Sequence, residues 1–126
     1  MKKIVIILLV SMVSFFLVFD AMAADKGAIK KNVDGIVAGI DGGKQAADFK
    51  ANDYKPYVFI MEKGGNLVVH PSLAGESLKE KAGLIYELLV KASPDSWVDY
   101  EWKGKQKHTY VNSTKSGLIV ASGYSD

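Results

Sequence analysis

The chain has 126 residues, with 16 basic and 14 acidic side chains, two histidines and no cysteine, and every basic residue is lysine. Without arginine forks or a large positive excess it lacks the footprint of a nucleic-acid binder. Without cysteine it has no disulfide, thiolate metal site or cysteine nucleophile, so a packed core must supply its stability.

Lys2 and Lys3 precede an apolar run from Ile4 to Phe19, followed by Ala21-Met22-Ala23. This order predicts a secretory signal peptide over residues 1–23, cut after Ala23. The run is shorter than the ~20 residues of a usual spanning helix, although an uncleaved anchor stays open. A cysteine-free cleavage region rules out lipid anchoring. Residues 24–126 are then expected as one periplasmic or secreted domain, because that length leaves no room for two cores.

Ile29, Val33, Ile36, Val37 and Ile40 recur at helical spacing, which predicts a first helix with one apolar stripe. Gly42 and Gly43 end it. Residues 44–52 can form a second, short helix with Ala46, Ala47 and Phe49 inward. Residues 57–61 read as a strand, 62–66 as a glycine hairpin turn and 67–70 as the returning strand, closed by Pro71. Leu84, Ile85, Leu88 and Leu89 mark a helix within 72–93, stopped by Pro94. Three strands are expected at 96–104, 105–113 and 117–125. The sum is an α+β domain with a single antiparallel five-stranded sheet and a helical insertion between strands 2 and 3.

Several marks then occur in a telling order: Gly43, Ala46-Ala47 and Phe49; Tyr57-Val58-Phe59 and a hairpin glycine; and His70-Pro71 with Gly75-x-Ser77-Leu78. They continue with Trp97-Val98-x-Tyr100-x-Trp102, Lys107-x-x-Tyr110-Val111 and a closing Gly123-Tyr124. Together they resemble the single Cache domains, PAS-like extracytoplasmic sensor modules of bacteria, across nearly all of residues 24–126. The resemblance implies a PAS-like sheet with the N-terminal helix on one face. It also implies a pocket for a short organic acid such as acetate, propionate, lactate or pyruvate. Such domains usually sit between two membrane helices in chemoreceptors and sensor kinases, acting in chemotaxis and signal transduction. This chain ends at Asp126, directly after the last expected strand. The expectation is therefore a stand-alone secreted binding protein that presents its ligand to a membrane receptor or sensor kinase.

Five residues are candidates for the ligand site: Tyr57, His70, Tyr100, Lys107 and Tyr110. With no arginine, a carboxylate would need lysine or histidine for charge and neutral donors beside it. His70 could supply charge once protonated, or could be an idle strand end. Lys107 and Tyr110 form a Lys-x-x-Tyr pair whose spacing puts them on opposite faces of a regular strand. A bulge could reconcile them; otherwise Tyr110 shares a face with His108 and Lys107 lies outside. Tyr57 and Tyr100 carry hydroxyls that need partners when buried, whereas aromatic residues such as Phe59 and Trp102 are core by default.

Nothing in the sequence names an enzyme. Asp99 and Glu101 alternate on what should be a solvated face. Neither histidine sits at metal-ligand spacing, and no serine has a nucleophile-elbow setting. The glycine pairs fit no phosphate loop, so no metal, cofactor or catalytic residue is expected. The rival expectation is a structural or interaction protein that keeps the fold but fills the pocket with side chains.

Overall fold

A computed structural model of the chain describes residues 26–126. The expected signal peptide at 1–23 and its cleavage point lie outside the described residues. Among those described, no helix is long and apolar enough to cross a membrane.

Helix α1 covers residues 26–41. Its stripe behaves as the periodicity dictates: Ile29, Val33, Ile36 and Val37 are buried and Ile40 is half-buried. Each such side chain contributes about 1.5–3 kcal/mol by leaving water. Two short 3-10 turns, Ala46–Asp48 and Ala51–Asp53, replace the expected second helix. Ala46 and Phe49 lean on the core, but Ala47 is exposed. A three-residue turn cannot bring neighbouring alanines onto one face.

The sheet contains β1 (Val58–Met61), β2 (Leu67–Val69), β3 (Ser96–Trp102), β4 (Lys105–Ser113) and β5 (Ile119–Ser125). Its spatial order is β2-β1-β5-β4-β3, with every pair antiparallel. All four residues of β1 are buried, because α1 covers one face of the sheet and the helical insertion the other. A strand sandwiched in this way reads as an unbroken apolar run. Val58 and Ile60 face α1, while Phe59 and Met61 face the insertion. At the β3–β4 turn, Lys103 (φ 52°) and Gly104 (φ 79°) are both left-handed, the combination that matches strand twist in a two-residue hairpin.

The insertion is two helices rather than one. Helix α2 (Leu78–Lys81) is capped by Ser77, whose Oγ accepts from the Glu80 N–H, and helix α3 spans Gly83–Lys91. Ala82, with φ −152° and ψ 70°, breaks the run between them. The four residues expected to mark one buried stripe divide. Leu89 is buried and Ile85 half-buried, but Leu84 is 81% and Leu88 43% exposed. Residues 85 and 89 lie one turn apart, so α3 docks along that line and turns its neighbours to water. The Tyr86 hydroxyl donates to the Lys63 carbonyl at 2.7 Å, and the Leu78 N–H to the Gly65 carbonyl at 2.8 Å. These bonds tie the insertion to the β1–β2 hairpin. Gly65, at φ 105°, has no space for a Cβ, which would lie 2.9 Å from Lys79 Cβ.

Strands β4 and β5 approach closely at Gly123. A Cβ on Gly123 would stand 2.4 Å from the His108 carbonyl oxygen and 2.8 Å from Thr109 Cα. Gly123→Ala should therefore lower stability by about 1–3 kcal/mol or more, as overpacking does. Gly64→Ala, where a Cβ meets nothing within 4 Å, should stay within about 0.5 kcal/mol of wild type. Urea unfolding of both variants checks this; equal midpoints would refute the close approach.

Candidate functional site

Between the sheet and the insertion lies a cavity walled by Tyr57, Phe59 and His70 from the hairpin side and Tyr100, Trp102 and Lys107 from β3 and β4. Leu67, Leu78 and Ile85 close its apolar end. Strand alternation explains the grouping. Residues 57 and 59 share one face, 100 and 102 share it one strand pair away, and Lys107 is the direct cross-strand partner of Tyr100. The cavity encloses about 280 Å³ of empty space counting its mouth, and the part that admits the centre of a water molecule is about 20 Å³. That is room for about one ordered water.

Lys107 dominates the electrostatics. It is only 4% exposed, and no carboxylate of the described residues lies within 4.0 Å of its ammonium. Its Nζ donates to the Tyr57 hydroxyl at 2.8 Å and sits 4.5 Å from the Tyr57 ring centre and 5.9 Å from that of Phe59. Burial disfavours the charged form, and the charge of Lys103 adds to this, so its pKa falls to about 8. The alternative of an outward Lys107 is thereby corrected: odd-numbered residues of β4 face the insertion.

His70 is not the cation envisaged for it. Its Nδ1 accepts from the backbone N–H groups of Ser72 and Leu73, both at 3.0 Å. Burial, then Lys107 and Lys103, push its pKa down to about 4. The ring is neutral at pH 7 and leaves Nε2–H as its remaining donor. It meets Tyr57 edge-on at 5.5 Å between ring centres. The Tyr100 hydroxyl accepts from Thr109 Oγ1 at 2.9 Å, and burial raises its pKa to about 12. Because both phenols accept a bond, each keeps its own proton to donate. The cavity therefore gathers an ammonium, two phenolic O–H groups and one imidazole N–H, with no carboxylate among its walls.

Tyr110 does not join this group. It lies on the α1 face, where its hydroxyl shares its one proton between the carboxylates of Asp34, at 2.8 Å, and Asp95, and accepts from Lys30 at 3.1 Å. Three residues on a regular strand reverse the face, and no bulge intervenes between Lys107 and Tyr110. Tyr110 is a fastener: with Lys30 and Asp34 it joins α1 to β4, and through Asp95 to the loop before β3. His108 shares this face, its Nδ1 2.6 Å from Asp99 and Nε2 2.9 Å from Asp126. Those two carboxylates raise its pKa. No group of the described residues is arranged to hold a metal ion.

Phe59 and Trp102, expected as core, both wall the cavity. The signal was available, since each sits two residues from a candidate tyrosine. A second, open groove bordered by Lys55, Lys103 and Lys105 also counts Lys107 in its lining.

A lysine whose folded pKa lies below its unfolded 10.5 destabilises the fold fully below pH 8, and the penalty fades as pH rises from 8 to 10.5. Lys107→Met should therefore be more stable than wild type at pH 7 by up to about 3 kcal/mol. That advantage should shrink toward pH 10. Chemical unfolding at pH 7, 9 and 10 measures the gap; a pH-independent gap would show that Lys107 is not held as a buried charge.

No family model matches the chain, and no curated protein does. Among solved structures it is similar to a methyl-accepting chemotaxis protein from Vibrio parahaemolyticus RIMD 2210633. The TM-score is 0.59 at 18% identity, over 84% of this chain and 91% of that one. Shorter matches are to the ligand-binding domain of Mlp24 with asparagine and to an extracellular ligand-binding receptor from Desulfohalobium retbaense DSM5692. The first has TM-score 0.39 and 19% identity over 55% of this chain and 28% of that one. The second has 0.38 and 14% over 53% and 12%. The first match establishes the fold: an α+β, PAS-like sheet of the Cache type.

Proposed function

We propose that this protein is an extracytoplasmic sensing domain that binds a short organic acid. The observation that carries the reading is Lys107, a buried ammonium with no counter-ion among the described residues, surrounded by neutral donors. Burying an uncompensated charge costs several kcal/mol, and a bound carboxylate would offset that cost with charge-assisted hydrogen bonds. In this reading Lys107 supplies charge, Tyr57 and Tyr100 donate their phenolic protons, and His70 donates from Nε2 as a neutral ring. Trp102, Phe59 and Ile85 keep out water. The fold shared with a methyl-accepting chemotaxis protein supports a sensing role, read by a membrane receptor or sensor kinase. The leading segment of residues 1–23 would act as the export signal, leaving 24–126 as the working domain. Binding rather than catalysis is the activity proposed, with no metal or cofactor.

The cavity's narrowness favours a second reading, in which side chains fill the pocket and the protein serves as an interaction module. Ligand binding separates the two. With a small acid at 100-fold over its Kd, stability should rise by about 2.7 kcal/mol, a Tm increase on the order of 10 °C for a domain this size. A thermal-melt series with acetate, propionate, lactate and pyruvate should reveal at least one such shift. No shift with any of them, in protein shown by mass spectrometry to be ligand-free, would leave the second reading standing.

The variants sharpen the assignment. Lys107→Met should abolish binding, and His70→Ala should weaken it about tenfold, the worth of one hydrogen bond to a charged group. Tyr110→Phe should leave affinity unchanged while lowering stability by about 1–2 kcal/mol. Affinity should also fall as pH rises through 8, because the amine loses the proton that the anion needs. Calorimetry in buffers of different ionisation enthalpy should then record proton uptake on binding at pH 8.5, since an anion raises the Lys107 pKa. Binding without proton uptake would remove Lys107 from the site.

A further inference from the structure

The Lys107 amine has a chemistry beyond holding an anion. Its Nζ touches the Tyr57 hydroxyl at 2.8 Å and otherwise faces aromatic rings. Lys107 lines both the inner cavity and the open groove bordered by Lys55, Lys103 and Lys105. A desolvated lysine beside further cations is the arrangement that favours a neutral, nucleophilic amine.

We propose that Lys107 is a reversible covalent site for small carbonyl compounds, with 2-oxo acids as the favoured class. The inference rests on the reading of this cavity as a small-acid site. The Nζ lone pair attacks the carbonyl carbon, and the carbon–oxygen π pair moves to oxygen. That oxygen takes a proton from the Tyr57 hydroxyl, and the phenolate recovers one from the nitrogen, giving a neutral carbinolamine. The carbon–oxygen bond then breaks. The oxygen leaves as water with a second proton from Tyr57, which is again restored from nitrogen, and an imine remains. One amine and one carbonyl become one imine and one water, with no oxidation or reduction. The acid's carboxylate takes the donors of His70 and Tyr100, while the lysines around the groove draw the anion inward. The lowered pKa of Lys107 fits this chemistry: at pH 7.5 its neutral fraction is roughly two hundredfold that of an ordinary lysine.

The test is reductive trapping. The purified protein is incubated with pyruvate and sodium cyanoborohydride, and adducts are mapped by peptide mass spectrometry. The expected result is one adduct at Lys107, formed roughly tenfold or more faster than at any other lysine, with a rate that levels off above about pH 8. Lys107→Arg, which keeps the charge and loses the nucleophile, should lose that adduct. If this variant fails to fold, the pH profile of the wild-type adduct decides, since ordinary lysines continue to gain rate toward pH 10. Adducts spread over the surface lysines with Lys107 unmodified would overturn the inference. Excess acetate separates it from the reading beneath it. Acetate that binds by calorimetry while Lys107 stays unmodified refutes the covalent step alone. Fast Lys107 labelling that acetate does not slow supports the covalent step and refutes the small-acid site.

Discussion

A charged ammonium beneath a layer of apolar helix is the constraint around which this protein is arranged. An isolated amine in that position would be costly enough to be selected against or neutralised. Here the cost is met partly by one phenolic oxygen and two aromatic faces, and partly by a shift of the amine toward its neutral form. Those compensations are incomplete. Every polar wall group offers a proton and none offers a negative charge, which is the complement of the acceptor-rich guest proposed above.

Strand β4 organises both halves of the molecule. Its odd-numbered residues Lys107, Thr109 and Val111 face the insertion, and its even-numbered residues His108, Tyr110 and Asn112 face α1. The cavity's cation and the hydroxyl that fastens α1 therefore share one short piece of backbone. Asp95 extends the connection, because it binds Tyr110 from the loop that enters β3, the strand carrying Tyr100 and Trp102. The two faces are chemically separate but mechanically continuous.

Much of the fold was legible because burial leaves periodic traces. The stripe of α1, the apolar run of β1, the paired glycines before β2 and the three C-terminal strands were each written as a period or a turn. The insertion was less legible. Leu84, Ile85, Leu88 and Leu89 form too broad a stripe to reveal which line a helix docks along, and the break at Ala82 is marked only by the single Gly83 that follows it. In the site, same-face spacing grouped Tyr57 with Phe59 and Tyr100 with Trp102. Tyr110 lies apart from the cavity, as the alternation of a regular strand indicates for the Lys-x-x-Tyr spacing: three residues along a strand lead to the other face. The neutral state of His70 was hidden as well, since it depends on burial and on the nearness of Lys107 and Lys103, which only the folded sheet creates.

The two tryptophans of this chain fall on opposite sides of that divide. Trp102 walls the cavity, while Trp97 packs 5.5 Å from the Tyr110 ring and 6.2 Å from that of Tyr124 on the α1 face. Intrinsic fluorescence is thus already partitioned by strand parity. With Trp97 replaced by phenylalanine, the remaining emission reports on the cavity; with Trp102 replaced, it reports on the seat of α1. The pair makes an optical ruler, without any added label, for whether an event on one side of the sheet is felt on the other.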